Sequence, residues 1–255
     1  MDAADARFGG IARLYGNDGL AKLRTAHVAV IGVGGVGSWS AEALARSGIG
    51  TITLVDLDEV CITNTNRQIH ALEGSLGKPK VAELATRIGH INPDCTVHAR
   101  AEFFTAQTAE TILSGSYDYL IDAIDGLTNK CLLLAACRER EIPVITCGAA
   151  GGRRDGTAVC IADLTRAKYD KLLFKVRKQL RQQHGFPRGT KKWQLPCVYS
   201  AEPVHYPQPD GTVCEAKPDT DGSLKLDCEA GLGAATHVTA AFGFAAAGHV
   251  VGELA

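Results

Sequence analysis

The sequence predicts an α/β fold, a doubly wound and mostly parallel sheet with a mixed C-terminal extension. Three observations predict it. Val28-Ala-Val-Ile31 is an apolar run feeding a glycine turn, Gly32-Val-Gly34-Gly35-Val-Gly37. Trp39-Ser-Ala-Glu-Ala-Leu-Ala-Arg46 follows with helical spacing and good helix formers. Strand and helix patterns then alternate as far as residue 147, as crossover helices between parallel strands require.

The bulk numbers bound the function. The chain has 255 residues, 45% of them hydrophobic, enough for a substantial core. The net charge of -1 excludes a global field that would draw it to nucleic acid or membrane, so any such contact needs a local patch. The nine cysteines are scattered, odd in number and without a CxxC pair. With no signal peptide at the start, they are expected to be reduced thiols in a cytoplasmic protein.

Residues 1–24 read as an amphipathic lead-in with Arg7 and Arg13 beside aromatic residues. The glycine turn after residues 28–31 lets backbone N–H groups approach a phosphate at a helix N-terminus. The second strand, Thr51-Ile-Thr-Leu-Val-Asp56, ends in an acid 19 residues beyond Gly37, where a carboxylate binds ribose hydroxyls. A tight turn between core elements would leave Asp56 unexplained. The polar stretch from Asp56 and Asp58 through Asn64, Arg67 and Gln68 leaves the C-terminal end of that strand, the edge where open α/β sheets bind ligands.

Pro79 suits a first helical turn and puts Lys80 at a helix N-terminus. A cation there opposes the helix dipole, which favours an anionic ligand over a purely structural lysine. Asn92-Pro93 stops the helix; Thr96-Val-His98 reads as a short strand and Thr105 to Leu113 as a helix capped by Thr105. The buried strand from Tyr117 carries Asp122 and Asp125 toward the ligand edge, where two carboxylates can bind a metal or hold polar groups. Asp125 as cap of the helix that starts near Leu127 is the plain reading, and the two are compatible. Residues 142–147 form the next strand.

Beyond the Gly148–Gly152 turn the character changes. Thr157–Ile161 reads as a strand. Residues 166–192 carry ten basic side chains opposed only by Asp170, with a helical apolar stripe at Leu172, Leu173, Val176 and Leu180. A solvated face is the plain reading. Because the rest of the chain must be net acidic, the localised charge favours an anionic partner such as RNA. Tyr199 to Tyr206 is expected to be extended. The Ala- and Gly-rich run from Gly231 to Leu254 has no charge before Glu253, but His237 and His249 dilute it, so an interface or buried helix is expected rather than a membrane span.

Gly32-x-Gly34-Gly35-x-Gly37, Asp56, Asn64-x-x-Arg67-Gln68, Lys80 and Asp125 together resemble the ubiquitin-activating-enzyme-like adenylating superfamily, with its Rossmann-like domain. Arg7–Gly16, Thr63–Leu72, Tyr206–Cys214 and Asp227–Thr236 resemble more closely the bacterial branch that cyclises threonylcarbamoyladenosine beside the tRNA anticodon. The resemblance implies one adenylating domain over 1–255, with a nucleotide-binding core at 28–147 and a substrate- and dimer-side extension at 148–255 carrying the basic segment 166–192. It implies ATP and Mg²⁺: Asp56 on the ribose, Asn64 on phosphate oxygens, Arg67 and Lys80 on the α-phosphate, and Asp125 on the metal. Threonylcarbamoyladenosine-bearing tRNA would be the substrate and a homodimer the working form.

Two departures from the wider superfamily matter. The two CxxC pairs of a structural zinc site are missing, since Cys197-Val-Tyr-Ser200 stands at the first, so no zinc is expected. Gly10 stands where an arginine is usual, leaving Arg13 to reach the phosphate across a dimer interface. Cys228 aligns with a thiol that some relatives use covalently, through which a cysteine desulfurase or sulfur acceptor would dock; a buried small residue is the alternative. Other readings are adenylation of a small sulfur-carrier C-terminus, an NAD-dependent dehydrogenase, which gives no use for Arg67, Lys80 and Asp125, and a non-catalytic nucleotide-sensing module.

Overall fold

A computed structural model describes residues 3–189, 191–217 and 232–255. The elements run α1 (Ala3–Thr25), β1 (His27–Ile31), α2 (Gly37–Arg46), β2 (Thr51–Val55), α3 (Lys80–Ile91), β3 (Thr96–Arg100), α4 (Ala109–Leu113), β4 (Tyr119–Asp122), α5 (Leu127–Glu139) and β5 (Val144–Cys147). They continue with β6 (Val159–Asp163), α6 (Lys171–Gln183), β7 (Pro196–Ser200), β8 (Tyr206–Pro207), β9 (Val213–Cys214) and α7 (Thr236–Leu254). The main sheet has seven strands in the order β3-β2-β1-β4-β5-β7-β6. Only β6 runs antiparallel, pairing with β7 from Val159↔Ser200 to Asp163↔Pro196. The chain leaves β1 toward β2 on one side and returns to β4 on the other, so the strand order reverses at β1/β4, the position where such sheets bind ligands.

Strand alternation divides the core. Val28 and Val30 of β1 pack on one face with Ala41 and Leu44 of α2, Leu84 and Ile88 of α3, and Val238 and Phe242 of α7. Ala29 and Ile31 point to the other face, with Leu120 of β4, Cys131 and Leu134 of α5, and Leu173, Val176 and Leu180 of α6. Helices therefore cover both faces, which is why the strands read as continuous apolar runs. Helix α7 turns Val238, Phe242, Ala246 and Val250 into the core beside α2, while Phe244 on its other side is 49% exposed. A Cβ at Gly243 would lie 2.7 Å from Trp39 Cβ and 2.7 Å from Val36 O, so only glycine permits that approach. Among the described residues no helix is long and apolar enough to cross a membrane.

Several elements differ from expectation. The helix expected over 105–113 is one short segment, α4, because Thr105 and Thr108 spend their hydroxyls on each other and on the Phe103 and Thr105 carbonyls. Strand β6 begins two residues late because Asp155 folds Gly156–Ala158 into a 3₁₀ turn. Helix α1 breaks its helical geometry at Gly16, with φ 82°. It lies along the N-terminal edge of the sheet: Arg7 Nη1 donates to Ile91 O at 2.8 Å, and Gly50 N to Leu23 O at 3.0 Å.

Candidate nucleotide site at the β1/β4 edge

The glycine turn is held by contacts that explain its spacing. Gly32 has φ 85°, and a Cβ there would sit 3.0 Å from Ala123 O in the turn after β4. At Gly37 a Cβ would fall 1.8 Å from Gly32 O, so the helix can start against the turn only with glycine. Gly34 differs, since the nearest atom to a Cβ there is Gln68 Nε2 at 3.8 Å. The first and last glycines close the turn, and the middle one leaves space beside its backbone.

Asp56 does more than present an acid to a ribose. Its Oδ2 accepts Val33 N at 2.8 Å and its Oδ1 accepts Asp58 N at 2.9 Å. Burial pushes its carboxyl above the usual range, while these donors and the Lys80 charge pull it back. One carboxylate thus ties the end of β2 to the turn after β1.

Arg67, Gln68, Asn64, Asp58 and Lys80 gather around that turn. The Arg67 stem lies 3.5 Å from the Cβ position of Gly35. Its Nη1 donates to Thr63 O at 2.6 Å and to Asn66 Oδ1 at 3.0 Å, leaving Nε and Nη2 with no partner among the described residues. The Arg67 carbonyl accepts Trp39 Nε1 at 3.0 Å and Thr239 Oγ1 at 3.2 Å, so α2 and α7 together fix the loop. Lys80, at the start of α3, is 6% exposed and pairs at 2.8 Å with Asp58 Oδ2, whose side chain is 52% exposed. That pair neutralises the cation at the positive helix end. Asn64 is buried and its Oδ1 accepts Cys61 N at 3.0 Å, so its carbonyl is occupied with shaping the loop. Gln68 is buried and its Oε1 meets His70 Nε2 at 3.1 Å.

Of the two uses open to the acid pair, Asp122 takes the second, holding polar groups rather than a metal. Asp122 has no exposure and is taken by Lys130 Nζ at 2.9 Å, Thr146 Oγ1 at 2.6 Å and Ile124 N at 3.1 Å. Asp125 alone is exposed at the edge. Nor does it cap α5, whose N-cap is Gly126, without a side-chain bond. Arg13 is exposed on α1, along the opposite edge of the sheet from the glycine turn of its own chain. Cys228 lies outside the described residues. Cys197 is fully buried, and burial pushes its thiol, like those of Cys137 and Cys147, up to about 12. Among the described residues no group of three or more His, Cys, Asp or Glu could hold a metal ion.

Sequence reasoning missed Lys130, Trp39 and Thr239. Lys130 carried a signal: a lone lysine on the inner side of an otherwise apolar helix, eight residues beyond a strand-end acid. The other two make contacts across the chain that leave no local mark.

Residues 10–251 match the profile of the ThiF family. The chain belongs to that family. A relative named tRNA threonylcarbamoyladenosine dehydratase, from Escherichia coli (strain K12), is 48% identical over 254 residues, 99% of this chain and 95% of the relative. A solved structure described as TcdA (CsdL) superposes with a TM-score of 0.91 at 46% identity, covering all of this chain and 96% of that one. The E. coli tRNA N6-threonylcarbamoyladenosine dehydratase TcdA in complex with ATP superposes with a TM-score of 0.88 at 44% identity, over 100% and 96% of the two chains.

Proposed function

We infer that this chain uses ATP to cyclise threonylcarbamoyladenosine in tRNA with loss of water. The observation that carries this reading is the nearly full-length likeness, at 48% identity, to the E. coli dehydratase. The related TcdA structure holding ATP supports the nucleotide.

The chemistry gives each residue a task. A carboxylate cannot lose oxide, so it must first acquire a leaving group. An oxygen of the threonylcarbamoyl carboxylate attacks the α-phosphorus of ATP; the bond to the β-phosphate oxygen breaks and pyrophosphate leaves. A nitrogen or oxygen of the same side chain then attacks the acyl carbon, loses its proton, and AMP departs with the former carboxylate oxygen. The substrate has lost one water. Attack within one molecule needs mainly orientation.

Arg67, through its unpartnered Nε and Nη2, and Lys80 would stabilise charge developing on the α-phosphate. Asp56 would hold the ribose, Gln68 would border the nucleoside, Asp58 would hold Lys80, and Asn64, oriented by the Cys61 N–H on its Oδ1, would donate its Nδ2 to phosphate oxygens. Asp125 fits Mg²⁺, since its exposed carboxylate has no partner among the described residues and Mg²⁺ binds through one or two carboxylates plus substrate phosphates. When bound, the ion would neutralise phosphate charge. The whole chain is read as one adenylating domain, supported by a single sheet from β3 to β6 and by α7 packing back on α2. A homodimer that brings Arg13 of a second copy to the site would reconcile Arg13 with its place on the far edge. A cysteine desulfurase or sulfur acceptor at Cys228 is a further partner, separable because cyclisation needs no covalent thiol.

The test is product analysis with labelled ATP, Mg²⁺ and tRNA carrying threonylcarbamoyladenosine. The expected result is AMP and pyrophosphate together with a nucleoside lighter by one water. AMP release that requires a Gly-Gly-terminated carrier protein instead would replace this reading with carrier adenylation.

A further inference from the structure

A cleft of about 500 Å³ opens between the start of α6 and β8, away from the glycine turn. Tyr169 and Phe174 line it with 64% and 61% of their surfaces exposed, large apolar rings that a solvated helix face has no reason to present. Arg177 Cζ stands 5.9 Å from the centre of the Phe174 ring. A third ring, Tyr206, is buried beneath Lys171, whose ammonium lies 4.7 Å from the ring centre and bonds the phenol oxygen. Lys168 and Lys217 add positive charge to the lining and Glu215 one negative charge. Asp170 is turned inward, its oxygens accepting Ala149 N and Leu173 N at 2.9 Å each.

The backbone that carries the rings is held in place. Tyr169 has φ 56°, a left-handed conformation that a tyrosine rarely adopts. Its carbonyl is gripped at 2.6 Å by Nη2 of Arg153, which is 3% exposed, and Asp170 beside it caps α6. Arg153 lies in the loop leaving β5, and Asp170 accepts from Ala149 of that loop, on the same sheet edge as the nucleotide site. β5 lies two strands from β1, about 10 Å at ordinary strand spacing.

We propose that this cleft takes an unstacked nucleobase of a single-stranded RNA loop, a neighbour of the nucleoside held at the β1/β4 edge. The inference rests on the tRNA reading above and extends it to a second contact. Exposed aromatic faces bind splayed bases by stacking, and the surrounding cations meet the phosphates on either side. Both sites are anchored at the C-terminal edge of the same sheet, the placement that one strand spanning both requires.

The experiment measures binding of fluorescently labelled tRNA to the full chain across a salt series, with ATP affinity and thermal melting on the same samples. Tyr169→Ala and Phe174→Ala are each expected to weaken RNA binding about tenfold, the scale of one lost base stack. ATP affinity, melting and salt slope should stay as in the parent. Tyr169→Phe and Phe174→Tyr should keep the affinity, which separates stacking from damage to the fold. Lys168→Ala should lower the salt slope by about one unit or less. RNA affinity of the double alanine variant within about twofold of the parent overturns the proposal, and so does lost binding of a Gly-Gly-tailed carrier with RNA binding intact. Turnover on the same tRNA keeps the two readings apart. No AMP from the parent protein refutes the tRNA function, whereas full parental turnover with an unchanged KM for tRNA in the double variant refutes the cleft alone.

Discussion

Lys130 Nζ lies 2.9 Å from Asp122 Oδ2, and neither side chain has any exposure. The same ammonium donates to Ile124 O at 2.8 Å, one residue before Asp125. A buried ion pair therefore shapes the turn that presents the exposed acid. Lys130→Met would leave Asp122 in the core without its counter-ion, held only by Thr146 and Ile124 N, at a cost of about 3–5 kcal/mol. Urea denaturation should register that loss, and adding Asp122→Asn should recover part of it. No recovery would mean that the pair is not the source.

The site assignment predicts that Arg67→Ala and Asp125→Asn each cut AMP formation at least about 10²-fold, the scale of one lost electrostatic contact in a transition state. Asp125 is exposed, so the melting temperature of its variant should hardly move. Arg67 is half-buried and braces its loop through Thr63 O, so Arg67→Lys, which keeps the stem and charge, serves as its fold control. Undiminished AMP formation by either variant would remove that residue from the assignment.

The glycine turn separates folding from binding. Gly37→Ala drives a Cβ to 1.8 Å from Gly32 O and should destabilise the chain by at least about 2 kcal/mol. Gly34→Ala meets nothing closer than 3.8 Å and should leave stability within about 0.5 kcal/mol. If phosphates approach that backbone, however, it should weaken ATP binding about tenfold, the worth of one charge-assisted hydrogen bond. Calorimetric titration with ATP distinguishes the two; a Gly34→Ala chain that binds ATP normally would put the phosphates elsewhere.

His70 supplies a pH dependence. Burial, helped by the nearby Lys80 charge, lowers its imidazole from 6.5 to about 4. Between those values the unfolded chain takes up a proton that the native state refuses, so stability falls as the pH drops from 6.5 to 4. The loss is at most about 3 kcal/mol and levels off below pH 4. His70→Gln should flatten that part of the denaturation profile. A profile parallel to the parent's would show that His70 titrates normally.

Much of this was legible in the sequence because it is local. An apolar run has to be a strand when a glycine turn and a helical stripe follow it, and Gly32, Gly37 and Asp56 stand at spacings that backbone geometry imposes. The stripe Leu173, Val176 and Leu180 marks α6 for the same reason. Residue types at fixed offsets also placed Arg67, Lys80 and Asp125 after strand ends, hence on the ligand edge. Tertiary structure alone decided which of these groups remain available. Asp122 and Asp125 look alike three residues apart, but the pleat sends Asp122 inward to Lys130 and the following turn sends Asp125 out. Asn64 has its Oδ1 taken by Cys61 N, which leaves its Nδ2 toward the site, and Lys80 is matched with Asp58. The arm carrying Arg67 is pinned by Trp39 and Thr239, the latter 172 residues away. Sequence determines period, turn chemistry and charge over a few residues; whether a polar group is left free depends on partners that only the packed sheet brings within hydrogen-bond distance.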